Sequence, residues 1–164
     1  VYDAYGEFCT KEVVRYNSRR VIVSGMAKGI DAIAHTYSRH SIGVLGNGLD
    51  IVYPLQNASL YERMKKEQLL ISEYPQGVRP QKYHFPFRNR IIAAFGDFLV
   101  VPSCVKQGGS MVSVNAALEL GKEVYTVVHP LYDVYGEGCN LLISQGANVI
   151  YNQDDLEELA AKKF

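Results

Sequence analysis

The sequence of 164 residues contains no run of about 18 apolar residues, the length that a membrane-spanning helix needs. It also lacks an excess of charge of either sign, because 17 lysines and arginines balance 17 aspartates and glutamates. The first absence argues against a membrane protein. The second removes the overall charge signature of a nucleic-acid-binding protein, so only a local cluster of cations can provide such a surface.

Cysteine is scarce as well, with three residues far apart at positions 9, 104 and 139. An odd number of cysteines without a C-x-x-C pair supports neither a zinc site nor a disulfide framework. We therefore expect no metal and no cofactor, and a reducing cytoplasm is the simplest location for the protein. Residues 1–4 resemble neither a signal peptide nor a natural start of translation.

What the sequence does contain is an alternation of short β-branched runs and longer helical stretches. The runs predict strands at residues 20–24, 41–45, 69–72, 98–101, 124–128 and 148–150. Helical patterns cover residues 5–17, a stretch beginning at 30, and residues 57–68, 87–95, 110–120, 138–145 and 154–163. Strands that are apolar on both faces and separated by helices are typical of a parallel sheet covered on two sides. The sequence therefore predicts a single α/β domain over residues 1–164, with a doubly wound, mostly parallel sheet and helices on both faces.

The beginning of the chain departs from this pattern. A doubly wound domain normally opens with a strand, but residues 5–17 read as a helix and no strand precedes them. We therefore expect the domain to be clipped at its amino end and to lack its first strand.

Two glycine-containing loops each lead from a strand into a helix. In the first, Ser24 and Gly25 are followed by Lys28 and Gly29; the second contains Lys106, Gly108, Gly109 and Ser110. Glycines let backbone N–H groups approach an anion, and a helix N-terminus favours negative charge. Each loop equally fits a tight structural turn, with Ser110 capping the second helix. Two such loops at one sheet edge are a stronger indication of anion binding than either alone.

A basic and aromatic stretch lies between these loops. Residues 79–106 contain five cations and one acid, Asp97, a local excess of four positive charges. The cations are Arg79, Lys82, Arg88, Arg90 and Lys106, and the aromatic residues among them are Tyr83, Phe85 and Phe87. Cations neutralise phosphates and rings stack on unpaired bases, so this composition is typical of single-stranded nucleic-acid binding. The alternative is that the phenylalanines belong to the core and the arginines to the surface or to ion pairs.

No catalytic residue is predicted, because the chain contains none of the G-x-S-x-G, G-x-x-x-x-G-K-[ST] and H-E-x-x-H motifs. Asp31 is placed to orient the loop ahead of it. Cys104 fits a buried, inert thiol better than a nucleophile. His129 has no evident partner.

The motifs together resemble the DNA-processing protein A (DprA/Smf) family in order and spacing across nearly the whole chain. They are SGMAKGID at 24–31, GNGLD at 46–50, YP at 53–54, SEYP at 72–75, FPFRNRIIA at 85–93, GS at 109–110, GCNLL at 138–142 and GA at 146–147.

This resemblance implies an extended Rossmann-like domain that binds single-stranded DNA without catalysing a reaction. It further implies a homodimer that protects incoming DNA during natural transformation and helps to load the RecA recombinase. Lys82 and Phe85 would supply the cation and the ring on DNA, with Arg88, Asn89 and Arg90 beside them and both glycine loops lining the same pocket. The resemblance also implies a first strand ending in Gly-Ser-Arg, whose arginine would fall just before Val1.

Two other functions stay open. The chain is similar to a Rossmann-like nucleotide-binding enzyme, of the kind that cleaves nucleoside monophosphates with a P-G-G-x-G-T-x-x-E motif. Residues 106–114 supply Gly108 and Gly109 but lack the threonine and the glutamate, and the missing acid argues against a phosphoribohydrolase. The other possibility is a small-nucleotide sensor that uses the same loops without turnover. For the dimer, both the tail helix and the loop of Tyr132 and Tyr135 are candidate interfaces.

Overall fold

A computed structural model describes residues 2–164, in which helices and strands alternate. The helices are α1 (Ala4–Tyr16), α2 (Ile30–Tyr37), α3 (Ala58–Glu67), α4 (His84–Phe95), α5 (Ser110–Glu119), α6 (Glu137–Ser144) and α7 (Gln153–Ala161). The strands are β1 (Ile22–Ser24), β2 (Ser41–Leu45), β3 (Leu69–Ser72), β4 (Leu99–Val101), β5 (Val124–Val127) and β6 (Asn148–Ile150). The α/β class and the order of elements are confirmed.

The strands form two parallel three-stranded sheets, in the orders β1-β2-β3 and β4-β5-β6. In the first sheet Ile22 is paired with Ser41 and Leu45 with Ser72. In the second sheet Leu99 is paired with Val124 and Val127 with Ile150. The strands are parallel as predicted, but the sheet is divided between β1 and β4. Between residues 2 and 164 no strand precedes α1.

Helices cover the second sheet on both faces, which is the doubly wound arrangement. On one face, a core of Val101, Val114, Val124 and Leu142 joins the sheet to α5 and α6. On the other face, Cys9, Val13, Val127, Ile150 and Leu159 join it to α1 and α7. In the first sheet, β2 packs on α3 through Leu45, Tyr61 and Met64.

The element boundaries differ from the predicted ones mainly at helix ends. Helix α4 begins at His84, three residues before the predicted start, and α7 ends at Ala161, two residues before the predicted end. The side chain of Asn152 caps α7 by accepting a hydrogen bond from the backbone N–H of Asp155, 2.9 Å away. No helix within residues 2–164 has the length and apolar character needed to cross a bilayer.

Candidate nucleic-acid interface

The predicted site residues lie at the carboxyl edge of the two sheets, where ligands bind in open α/β folds. Strand β1 leads into the first glycine loop and β4 leads into the segment that carries the second. The first turns of α4 lie between them. Arg88 of α4 packs against Gly25 of the first loop, and Asn89 donates a hydrogen bond to the carbonyl of Gly109 across 3.4 Å. Helix α4 therefore connects the two loops.

The first loop, residues 24–29, is held by the carboxylate of Asp31. One carboxylate oxygen accepts from the hydroxyl of Ser24 at 2.7 Å and the other accepts from the N–H of Ala27 at 3.1 Å. The prediction that Asp31 orients this loop is therefore confirmed. Gly29 precedes α2 with a φ of 91°, a conformation that favours glycine.

Two further side chains hold the same loop, and no sequence motif had indicated either of them. The Nε2 atom of His35 lies 2.7 Å from the carbonyl oxygen of Gly25, and the imidazole is fully buried. The amide of Asn57 donates to the carbonyls of Met26 and Ala27. Asn57 precedes α3 but makes no side-chain capping bond there, because its amide is engaged by the loop.

Gly25 is required because the guanidinium of Arg88 lies against it. A Cβ atom at Gly25 would lie 2.7 Å from a terminal nitrogen of Arg88 and 2.6 Å from Asp31. Arg88 is 5% exposed and donates hydrogen bonds to the carbonyl of Val44 and to the side chain of Asn89. Burial lowers its pKa from the ordinary value. Arg88 therefore belongs to the wall of the site and not to its exposed cations.

A cleft of about 380 Å³, here called the aromatic cleft, opens beside Arg88. Lys28, Tyr53 and Phe85 also line it. The rings of Tyr53 and Phe85 are stacked, with centroids 5.6 Å apart and planes at 27°. Gly46 permits this packing, since a Cβ atom there would lie 3.0 Å from the Phe85 ring. The cleft thus combines an aromatic surface with an exposed cation.

The exposed cations around α4 differ in whether an acid neutralises them. Among the described residues, Lys28, Lys82 and Lys106 form no ion pair. Arg90 lies 2.7 Å from the carboxylate of Glu73 and stacks on the ring of Phe87. The three lysines are therefore free to meet a phosphate, whereas Arg90 is already engaged.

The second glycine loop does not line the aromatic cleft. The cleft is lined by Lys28, Phe85 and Arg88 but by no residue from 106 to 110. Ser110 is the first residue of α5, and Gly109 occupies the capping position without a side-chain bond, so the expected serine cap is wrong. A Cβ atom at Gly109 would meet nothing within 4 Å, so the space beside this residue is open.

Sequence reasoning missed Tyr53 and the roles of two histidines. The motif YP at 53–54 was the signal for Tyr53. His84 is buried, stacks on Tyr74 with centroids 4.1 Å apart, and lies 2.8 Å from the carbonyl of Gly46. His129, predicted to be unpaired, lies 2.6 Å from the carboxylate of Asp133, so that prediction is wrong.

The cysteines lie away from the aromatic cleft. All three are buried and free, so the prediction that Cys104 is buried is confirmed. The sulfur atoms of Cys104 and Cys139 are 3.8 Å apart. Residues 2–164 contain no group of three or more histidine, cysteine or acidic side chains arranged to hold a metal ion.

Comparison with known proteins identifies the family. The family model described as DNA recombination-mediator protein A matches residues 2–161. The DNA processing protein DprA of Bacillus subtilis is 40% identical over 163 residues, which are 94% of this chain and 54% of the relative. The protein Smf of Escherichia coli is 37% identical over 84% of this chain and 38% of its own length. The chain therefore spans about half the length of the curated relatives, or less.

Two solved structures share the fold. DNA processing protein A from Streptococcus pneumoniae superposes with a TM-score of 0.90 at 33% identity, covering all of this chain and 59% of that one. DNA processing protein A from Helicobacter pylori, described for its single-stranded DNA binding mode, gives 0.90 at 29% identity over 97% of this chain and 75% of that one. Sequence and structure agree, and the chain belongs to the DNA recombination-mediator protein A family.

Proposed function

We propose that this chain is a single-stranded DNA-binding domain that acts without catalysing a reaction. The observation that carries the proposal is the aromatic cleft, where the stacked Tyr53 and Phe85 lie beside Lys28 at the carboxyl edge of the sheet. Lys82, two residues before α4, adds a second unpaired cation. Aromatic rings that stack on bases and cations that neutralise phosphates are the two components of single-strand binding.

The residues of the interface have three tasks: phosphate contact, base stacking and support of the loops. Lys28, Lys82 and Lys106 contact phosphates, and Phe85 with Tyr53 stacks on bases. Ser24, Gly25, Gly29 and Arg88 hold the first loop in shape, while Asn89 connects it to Gly108, Gly109 and Ser110 at the second. Arg90 contributes to phosphate binding in competition with Glu73.

The test is fluorescence anisotropy of a labelled single-stranded oligonucleotide over a salt series. Lys82→Ala removes one phosphate contact, so we expect weaker binding and a plot of log K against log salt flattened by about 0.7. Phe85→Ala removes a stacking platform, so we expect a loss of about 1–3 kcal/mol at an unchanged salt slope.

Lys66→Ala is the matched control. Lys66 is exposed near the end of α3, which leads into the amino end of β3, so it lies at the opposite sheet edge. Its removal should leave both affinity and slope unchanged. Equal losses from the two lysine substitutions would indicate diffuse charge attraction and contradict the proposed interface. Hydrolysis of nucleoside monophosphates, or tighter binding of a mononucleotide than of an oligonucleotide, would contradict it as well.

The finer role that we propose is protection of incoming DNA in the cytoplasm during transformation, as a homodimer that helps to load RecA. Its support is the family membership and the relatives named as DNA processing proteins. Sedimentation of the chain tests the dimer. RecA-dependent ATP hydrolysis on oligonucleotide covered by a competing single-strand-binding protein tests loading: stimulation by this chain is expected, and inhibition would contradict the loading role.

A further inference from the structure

Two thiols meet in the core of the second sheet, where the segment after β4 packs on α6. Cys104 follows β4, and Cys139 lies in the first turn of α6. Their sulfur atoms are 3.8 Å apart and both side chains are buried. The N–H of Gly138 donates to the carbonyl of Cys104 at 2.9 Å, and a Cβ atom at Gly138 would lie 2.5 Å from the Cys104 sulfur. The backbone therefore holds the two thiols side by side.

A buried imidazolium lies beside this pair. The Nδ1 atom of His129 is 2.6 Å from the carboxylate of Asp133, and its Nε2 atom is 2.9 Å from the carbonyl oxygen of Pro102. An ionised carboxylate and a carbonyl only accept hydrogen bonds, so both ring nitrogens donate and the ring is positively charged. Burial lowers the pKa of His129, but its interactions with Cys139 and Asp133 outweigh burial and raise the pKa to about 9.

The positive ring is held next to α6 by Asn140. The side-chain oxygen of Asn140 accepts from the N–H of His129, and its nitrogen donates to the His129 carbonyl, both at 3.1 Å. Cys139, one residue earlier, is the third residue of α6, where the helix N-terminus favours a thiolate. The hydrogen bond from Cys104 lowers the pKa of Cys139 and His129 lowers it further, although burial opposes both. The same bond, together with burial, raises the pKa of Cys104. The pair thus consists of a thiolate at Cys139 and a thiol at Cys104.

The burial of this cluster decides which reactant can reach it. Cys139 is fully buried and the Nε2 atom of His129 is engaged by a backbone carbonyl, so the cluster is closed to an acyl substrate. A small hydroperoxide needs only a brief local opening. The neighbouring loop provides one, since Leu131 is 83% exposed and Tyr132 fully exposed, and segments with few buried contacts open most readily.

We propose that Cys104 and Cys139 are a redox-active pair, which a hydroperoxide such as hydrogen peroxide converts into a disulfide. The thiolate of Cys139 attacks one peroxide oxygen and the O–O bond breaks. The hydroxide released takes a proton from solvent and leaves as water, and Cys139 becomes a sulfenic acid. The sulfur of Cys104 then displaces hydroxide from the Cys139 sulfur, and the thiol proton of Cys104 converts that hydroxide into water. The two thiols are oxidised by two electrons in total, and the peroxide is reduced to two waters.

The disulfide would join the first turn of α6 to the segment that leads into the second glycine loop. Only Val105 separates Cys104 from Lys106, the first residue of that loop. A cross-link between residues 104 and 139 also restricts the unfolded chain. We therefore expect a higher Tm and slower amide hydrogen exchange at residues 105–109 in the oxidised protein. The inference concerns this thiol pair and does not depend on DNA binding.

The experiment treats the native chain with hydrogen peroxide and counts free thiols after unfolding. The reduced chain has three free cysteines, and we expect only Cys9 to keep its thiol. The mass should fall by two hydrogen atoms, with Cys104 and Cys139 linked in the peptide map. Dithiothreitol should restore all three thiols. Dimedone, which traps sulfenic acids, should label Cys139 and not Cys104 early in the reaction.

Matched variants separate the roles of the two thiols. Cys104→Ser leaves the sulfenic acid without a resolving thiol, so we expect lasting dimedone labelling of Cys139 and no disulfide. Cys139→Ser removes the attacking thiolate, so Cys104 should stay unreacted at the same dose. Asp133→Asn keeps both thiols but removes the counter-charge of the imidazolium, so oxidation should slow several-fold. Cys9→Ser is the control, with unchanged pairing and rate.

Four results would overturn the proposal. One is the survival of all three thiols at a peroxide dose that oxidises the urea-unfolded chain. Another is a cross-link that involves Cys9 or joins two chains. Equal dimedone labelling of Cys104 and Cys139 would remove the difference between thiolate and thiol. An unchanged oxidation rate in folded Asp133→Asn would remove the role of the buried imidazolium.

Discussion

At the residue scale, the proposed interface depends on buried side chains that do not reach its surface. Arg88 and His35 are both buried. Arg88 packs against Gly25 and His35 contacts the Gly25 carbonyl, so both hold the loop from its buried side. The sequence indicated Arg88 through its charge, and charge alone suggested exposure. His35 carried no such signal, because its contact with Gly25 depends on how α2 returns across β1.

His35 makes the stability of the protein depend on pH. Burial lowers the pKa of His35, against the opposing influence of the Asp31 carboxylate, while Arg63 lowers it further. Because the folded-state pKa lies below the unfolded value of about 6.5, the unfolded chain takes up a proton first. Stability is therefore complete above that value and falls as the pH drops below it, by up to about 1.4 kcal/mol per pH unit.

Urea denaturation between pH 5 and pH 7 measures this effect. His35→Gln retains a donor for the Gly25 carbonyl but does not titrate, so we expect a shallower loss of stability on acidification than in the unaltered chain. His40 is exposed, and His40→Gln serves as the control with an unchanged profile. A His35→Gln profile parallel to that of the unaltered chain would show that the imidazole does not cause the loss.

At the scale of elements, α4 is central to the proposed interface because it carries Phe85, Arg88, Asn89 and Arg90 on its first two turns. Its amino end was predicted three residues late. Residues 84–86 are His, Phe and Pro, which give no helical periodicity, and the helix extends to His84 because that ring is buried on Tyr74.

The bounds of the strands were predicted to within two residues, because β-branched runs are a local signal. The division of the sheet into two was not predicted, because strand pairing depends on residues that are far apart in the sequence.

The ion pair between Arg90 of α4 and Glu73, which follows β3, predicts what happens when the acid is removed. The carboxylate of Glu73 accepts two contacts from one terminal nitrogen of Arg90, at 2.7 and 2.8 Å. Glu73→Gln removes this charge and frees the guanidinium, so we expect tighter oligonucleotide binding and a salt slope steeper by about 0.7. Stability should change by less than about 1 kcal/mol, as for other exposed pairs.

Anisotropy over a salt series provides the measurement, with Glu62→Gln as the matched control. Glu62 pairs with Lys65 on α3, away from the interface, at 3.3 Å. Removing either acid changes the net charge by the same amount. If both variants gain affinity equally, long-range charge and not the release of Arg90 is responsible.

At the scale of the whole molecule, the two sheets are connected by helix packing and not by a shared ladder. Strands β2 and β5 are each central in a sheet of three, while β1 and β4 are edges that line a cleft of about 380 Å³ between the sheets. Helices α4 and α5 pack on each other, as do α1 and α2, and these contacts join the halves. Such an arrangement allows one sheet to open while the other stays folded.

A pair of matched cavity-forming substitutions tests this independence. Val44 is fully buried in β2 and Val124 is 5% exposed in β5, so replacing either by alanine removes equivalent core volume from one sheet. We expect each to cost about 1–3 kcal/mol, with Val44→Ala accelerating hydrogen exchange mainly in β2 and Val124→Ala mainly in β5. Equal acceleration in both sheets would mean that the helices alone make the molecule one cooperative unit.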